Sequence, residues 1–282
     1  MGESMGRRWL ITGCSSGLGR ALADAAARAG HDIVVTARKT ADLEDLAAAW
    51  PGRIVPVPLE LRDPASCQEA VRTAVDRVGG IDILVNNAGV GLFGAVEEVS
   101  DAELRDQLEI LVVGPWRLTR LALPLMRAQG HGHIVNVSSV VGRMAFPGLG
   151  AYVAAKHALE GMSEALAVEA APHGIRVTVV EPGMFATRYG TAMTEAAHRV
   201  PAYDVTNREM LEGARGLADS PGTGRPDDFA VRVLAIVDTE GPTPLRIPVG
   251  ADAYGYLDVA EQAAREEYAA ARALVDGPPP AV

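Results

Sequence analysis

Tyr152 and Lys156 stand four residues apart in Tyr152-Val153-Ala154-Ala155-Lys156, inside a helical pattern that brings both side chains to one face. A free tyrosine hydroxyl has a pKa of about 10, and a neighbouring ammonium favours its phenolate. The pair therefore has the makings of an acid/base. Ser139 ends the strand-and-turn run Ile134–Ser139, where its hydroxyl can hold a reacting oxygen. Taken singly, a Tyr/Lys pair also suits a solvated helix face, and a serine there also suits a turn. No histidine and acid complete a hydrolase set around Ser139: His131 and His133 flank a glycine, and Gly-x-Ser-x-Gly is absent.

A second group lies near the start. Thr12-Gly13-Cys14-Ser15-Ser16-Gly17-Leu18-Gly19 follows the apolar run Trp9–Ile11 and leads into the helical run Arg20–Ala29. Glycines between a strand and a helix let backbone N–H groups approach a pyrophosphate at the helix N-terminus. Gly13, Ser15, Ser16, Gly17, Leu18 and Gly19 are thus candidate dinucleotide contacts, a structural turn being the alternative. The second strand ends in Thr36-Ala37-Arg38-Lys39, where an NAD site of this topology places an acidic residue on the ribose. Arg38 instead offers a forked contact to a 2′-phosphate. NADP(H) is therefore the preferred cofactor, with NAD(H) as the alternative.

These groups need a scaffold that places strand ends side by side. Apolar runs at Trp9–Ile11, Asp32–Thr36, Ile54–Val57, Ile81–Val85, His133–Val137, Arg176–Val180 and Leu245–Pro248 alternate with helical segments. Because the runs are apolar throughout, the strands should be buried on both faces. The expectation is one α/β domain: a doubly wound, Rossmann-type, mostly parallel sheet of about seven strands with helices on both faces. Helices are expected at Asp101–Gln129, Gly150–Ala171, Pro226–Val237 and Ala253–Leu274. Residues 188–225 break the pattern around a short helix near Asn207–Leu217 and read as a substrate lid, a surface excursion or an oligomer contact. Residues 275–282 read as a flexible tail.

Composition narrows the classes. With 26 basic and 36 acidic residues the formal charge is −10, which disfavours nucleic acid and anionic membrane surfaces as partners. Cys14 and Cys67 are the only cysteines, too few for a disulfide framework or a structural metal site. No leader-like start or long apolar run is seen, so a cytoplasmic, unanchored protein without metal is expected.

Together, Thr12-Gly13…Gly17…Gly19, Asn86-Asn87-Ala88-Gly89, Ser139, Tyr152…Lys156 and Pro182-Gly183…Thr187 resemble the short-chain dehydrogenase/reductase family in its NADP(H)-preferring classical form, over nearly the whole chain. The resemblance implies a hydride-transfer enzyme acting on the carbonyl or secondary alcohol of a hydrophobic small molecule. Tyr152 would be the acid/base, Ser139 the holder of the substrate oxygen, and Lys156 a contact to the nicotinamide ribose. Asn87, Ala88 and Gly89 would lie beside the adenosine ribose, Pro182 and Gly183 against the nicotinamide, and Thr187 at the carboxamide. Glu60, with Leu61, stands where the family commonly has Asp facing adenine. Leu111 replaces the family's asparagine, which helps hold a helix bulge and a water near the lysine. That leaves a catalytically weakened, cofactor-binding regulatory or scaffold protein as the competing class.

Met144, Phe146, Met184 and Phe185 are candidate substrate walls, or else core residues. Helices 101–129 and 150–171 correspond to those through which the family builds dimers and tetramers, so a homo-oligomer is expected; burial within one subunit would explain their apolar positions equally well.

Overall fold

In the computed structural model, which describes residues 6–276, Trp9, Leu10 and Ile11 are all fully buried, yet they face opposite ways. Leu10 joins the core on one side of the central sheet, and Trp9 and Ile11 join the core on the other. The same alternation recurs at Val34 against Ile33 and Val35, and at Ile134 against Val135. An uninterrupted apolar strand is what two covered faces demand.

In chain order the first elements are β1 (Arg8–Ile11), α1 (Gly17–Arg28), β2 (Asp32–Ala37), α2 (Glu44–Ala49), β3 (Ile54–Pro58), α3 (Pro64–Val78) and β4 (Ile83–Asn86). Next come β5 (Leu92–Phe93), α4 (Asp101–Leu108), α5 (Gly114–Gln129), β6 (Gly132–Val137), α6 (Gly150–Ala170), β7 (Ile175–Pro182) and α7 (Tyr189–Ala192). The chain continues through β8 (Thr194–Glu195), α8 (Asp204–Arg215), α9 (Pro226–Asp238), β9 (Arg246–Val249) and α10 (Ala253–Asp276).

Seven strands form one sheet in the order β3-β2-β1-β4-β6-β7-β9, every pair parallel. The order reverses between β1 and β4, which opens a crevice at their carboxyl ends. Helices α3, α5 and α6 cover one face and α1, α2 and α9 the other. The expected Rossmann-type architecture is present.

Beyond shifts of a few residues at element ends, two expectations fail. The segment 101–129 is not one α-helix: α4 and α5 are joined by a π-helical turn over Glu109–Val113, a device that redirects side chains within a helix. Gly114, which follows that turn, has no room for a side chain: a Cβ there would lie 2.8 Å from Leu61 Cβ. Residues 275 and 276 continue α10, so the expected tail does not begin there; 277–282 lie outside the described residues.

Inside the sheet, polar side chains form a chain across three elements. The Asn86 amide at the end of β4 donates to Asn136 Oδ1 on β6 at 2.8 Å, and Asn136 donates to Ser163 Oγ on α6 at 2.8 Å. Ser163 Oγ donates in turn to Leu159 O at 2.6 Å. These groups are almost wholly buried, where a missing partner would be costly.

Two buried carboxylates also meet near α6. Arg246 holds Glu160 at 2.9 Å, while Arg143 approaches Glu181, at the end of β7, only to 3.6 Å. Burial and the Glu160 charge push the Glu181 carboxyl up to about 7, against Arg143 and Arg246. A carboxyl raised in the folded state stabilises the fold below its unfolded value of about 4.5 and loses that contribution as pH rises to about 7. Glu181→Gln should therefore gain thermal stability relative to wild type at pH 8 and show little gain at pH 5. A difference in midpoint temperature that does not grow between those pH values would contradict this.

Candidate active site

The loop after β1 is built for close approach. Gly13 has φ +74°, and a Cβ on it would sit 2.7 Å from Ala88 Cα. Gly17 has φ +61° and starts α1, with Thr187 Cγ2 3.3 Å from where its Cβ would be. A Cβ on Gly19 would strike the Asn87 amide at 2.3 Å. Small residues thus let Asn87, Ala88 and Thr187 close around the start of α1. Ser16 N-caps that helix without a side-chain bond, and its first turn carries no acid, so its amides can receive an anion. Ser15, Ser16 and Leu18 are half-buried at the loop.

Thr12 locks this loop to the one after β4: its Oγ1 accepts from the amides of Asn87 and Ala88, both at 2.9 Å. Asn87 Nδ2 donates back to Thr12 O at 2.8 Å. Gly89 is exposed at the loop tip. At the end of β2, Arg38 is exposed, and no hydrogen bond or ion pair holds it among the described residues. Glu60 is engaged differently. Its Oε1 accepts from the Arg62 amide at 3.1 Å and guanidinium at 3.0 Å, and Arg62 also pairs with Asp106. Leu61 is buried under Gly114, and its carbonyl accepts from Arg117 at 2.9 Å. These residues fit a dinucleotide: a glycine cradle and open amides for the pyrophosphate, and an unpaired guanidinium at the ribose end.

At the chemical end, α6 carries Tyr152 and Lys156, and the turn after β6 carries Ser139. Ser139 is extended (φ −173°), and its Oγ accepts from Val141 N at 3.3 Å, leaving its proton free to donate. Lys156 Nζ lies 5.6 Å from the Tyr152 ring centroid and donates to Val137 O at 2.8 Å.

The electrostatics correct one expectation. Burial holds the Tyr152 hydroxyl above its ordinary value, with the hydroxyls of Tyr189 and Ser139 acting the other way. Burial also pushes Lys156 down to about 8, opposed by Glu160 one turn on. With both groups desolvated, Tyr152 stays protonated at neutral pH. It is a proton donor before it is a base.

Leu111 lies inside the π-helical turn and is fully buried in the core that includes Tyr152 and Ala155. The bulge forms without an asparagine. Pro182, the last residue of β7, pairs with Val249, and Gly183 has no room for a Cβ because the Asp252 carboxylate would lie 2.3 Å away. Asp252 Oδ2 accepts from Met184 N at 2.7 Å and fixes this turn. Thr187 Oγ1 accepts from Tyr189 N at 3.2 Å.

The proposed walls divide. Phe146 packs edge-on against Tyr256 of α10 with centroids 5.9 Å apart, and Met184 Sδ lies 4.0 Å from the Tyr256 hydroxyl. Met144 is half-buried in the same turn as Arg143. Phe185 is not a wall: it is 5% exposed, bridges to Gly224 and stacks on Phe229 at 5.6 Å, so its ring belongs to the core.

Residues 188–225 pack over this end. β8 pairs with β5, and Phe93, Leu149, Met193 and Leu211 make a small separate core with Tyr189 at its edge. Glu98, 1% exposed, clasps the segment by accepting from Val200 N at 2.9 Å and Asn207 Nδ2 at 3.2 Å. Burial pushes its carboxyl up, but the amides of Val200 and Ala95 and the Arg199 guanidinium hold it below the ordinary value. Asp252, Tyr256, Glu98 and the Asn136 ladder carry no local sequence signal, because each acts on residues distant in the chain. Tyr189 was within reach, two positions after Thr187, but only the fold sets its ring 5.4 Å from that of Tyr152.

The short chain dehydrogenase family model matches residues 7–198. The chain is 36% identical to "Oxidoreductase BOA17" of Botryotinia fuckeliana (strain B05.10), covering 92% of this chain and 94% of that protein. A short-chain dehydrogenase from Streptomyces avermitilis superposes with a TM-score of 0.86 at 42% identity, over 95% of this chain and 96% of the other. A short chain dehydrogenase/reductase from Burkholderia phymatum in complex with NAD superposes with a TM-score of 0.80 at 25% identity, over 93% and 94%. With the glycine cradle, the reversed strand order and the Ser139, Tyr152 and Lys156 constellation in place, the chain belongs to the short-chain dehydrogenase/reductase family of oxidoreductases.

Proposed function

We propose that the protein is an NADP(H)-preferring reductase of ketones or aldehydes, equally able to oxidise the matching alcohol. The observation that carries this reading is the meeting of Ser139, Tyr152 and Lys156 beside a cradle that fits a dinucleotide. Bound NADP(H) would supply or accept the hydride. Ser139 Oγ–H donates to the substrate oxygen and steadies the charge that develops on it, while protonated Tyr152 transfers its proton to that oxygen. Lys156 keeps the nicotinamide-ribose end in place, anchored through Val137 O. The half-buried Phe146, Met184 and Tyr256 make an apolar approach suited to a hydrophobic substrate, and residues 188–225 act as its lid.

A second reading, a cofactor-binding regulatory or scaffold protein with weakened catalysis, draws on Leu111. A panel of aromatic and aliphatic carbonyls followed by loss of NADPH absorbance separates the two. Wild type should turn over members of the panel, and Tyr152→Phe should bind NADPH normally yet lose about 100- to 10,000-fold in kcat. Binding without turnover anywhere in the panel favours the second reading, and near-normal turnover by Tyr152→Phe removes Tyr152 from its role.

The cofactor preference rests on Arg38. Arg38→Ala should raise the KM for NADPH by about 10- to 100-fold and leave that for NADH almost unchanged; equal effects on both would contradict the assignment. The protein is also proposed to be cytoplasmic and a homodimer or homotetramer assembled through α5 and α6. These helices leave Trp116 57% and Val168 75% exposed. Sedimentation equilibrium should give a mass of two or four chains, and a monomer across the micromolar range would refute it.

A further inference from the structure

We propose that Tyr189 is a positioning residue for the proton-transfer step, its hydroxyl serving as the donor that receives the Tyr152 oxygen each time that oxygen becomes a phenolate. The proposal rests on Tyr152 being the proton donor, as above. The Tyr189 oxygen is buried and makes no hydrogen bond of good geometry among the described residues, yet it lies near enough to the Tyr152 hydroxyl for each to act on the other. Its ring lies 5.4 Å from the Tyr152 ring at a tilt of 47°. A free hydroxyl buried beside apolar Phe93, Leu149 and Met193 costs stability unless another state of the protein uses it.

The groups facing Tyr152 identify that state. From its own helix come Lys156 and, one turn further, Glu160; the Lys156 ammonium is committed to Val137 O. From the turn after β6 comes Ser139, whose hydroxyl also favours the Tyr152 anion but which the proposed reaction commits to the substrate oxygen. From the π-helical turn come only Ile110 and Leu111, both apolar and buried. When Tyr152 gives up its proton it leaves a buried anion, and Tyr189, from α7, is the one neighbouring hydroxyl with no other task. Burial and Tyr152 together hold the Tyr189 hydroxyl well above its ordinary value, so it keeps its proton and acts as a donor. A hydrogen bond to the charged form favours that form.

The test uses the full chain labelled with 13C at tyrosine Cζ. The chain has six tyrosines, and the Tyr152 signal is identified by its loss in Tyr152→Phe. In Tyr189→Phe the Tyr152 titration midpoint should rise by about one to two pH units, and the rising limb of the pH profile for alcohol oxidation should move up with it. The thermal midpoint should stay level or rise, since an unpaired hydroxyl has been removed. Identical Tyr152 titrations in the two proteins, including no ionisation in either before unfolding, would overturn the proposal. So would an equal loss of rate at every pH, which marks a packing role. If no alcohol is oxidised by wild type, the proposed reaction fails, and the titration still decides the role of Tyr189.

Discussion

The buried amide ladder from Asn86 through Asn136 to Ser163 is the constraint from which the site follows. A parallel sheet by itself fixes strand spacing but not how a helix is seated on it, and apolar packing tolerates small slides. Directional bonds do not. The Asn86 amide nitrogen, Asn136 and Ser163 each find a partner in the next member, so a slide of α6 on β4 and β6 would break two buried hydrogen bonds at once. The register they hold sets Tyr152 against the turn carrying Ser139 and brings Lys156 within reach of Val137 O. On the other side of β4, Thr12 and Asn87 perform the same service for the phosphate loop. Two short polar networks therefore hold the two ends of one crevice at fixed separation.

Burial then decides the chemistry. The same desolvation raises the Tyr152 hydroxyl, lowers Lys156 and raises Glu181, so each group leans toward its neutral form. An interior that disfavours charge makes tyrosine a willing donor and an unwilling base. Reduction suits such a ground state directly, whereas oxidation needs partners that make the anion tolerable.

Much of this was legible in the chain. Period and composition gave the seven strands, because a strand covered on both faces must be apolar throughout, and that leaves a mark at every position. The glycines at 13, 17 and 19 were legible because close backbone approach excludes side chains. Tyr152 and Lys156 were legible from helical spacing. The π turn was legible only through the resemblance, which implies a helix bulge where Leu111 stands; residues Glu109–Val113 themselves carry no local mark of an extra residue per turn. Phe185 was misplaced for a related reason, since an aromatic after Pro-Gly looks the same whether it faces a ligand or Phe229. The sign of the Tyr152 shift was missed because spacing shows a neighbouring charge but not the desolvation opposing it.

The segment 188–225 rests on its own small core of Phe93, Leu149, Met193 and Leu211 and on the Glu98 clasp, with little share in the two cores that flank the sheet. Its stability is therefore nearly separable from that of the domain. Changes in this stretch can reshape the space above Tyr152 while the seven strands and the phosphate loop keep their free energy. In evolutionary terms the segment is a replaceable cowling over the engine beneath it, and selection can act on the first without endangering the second.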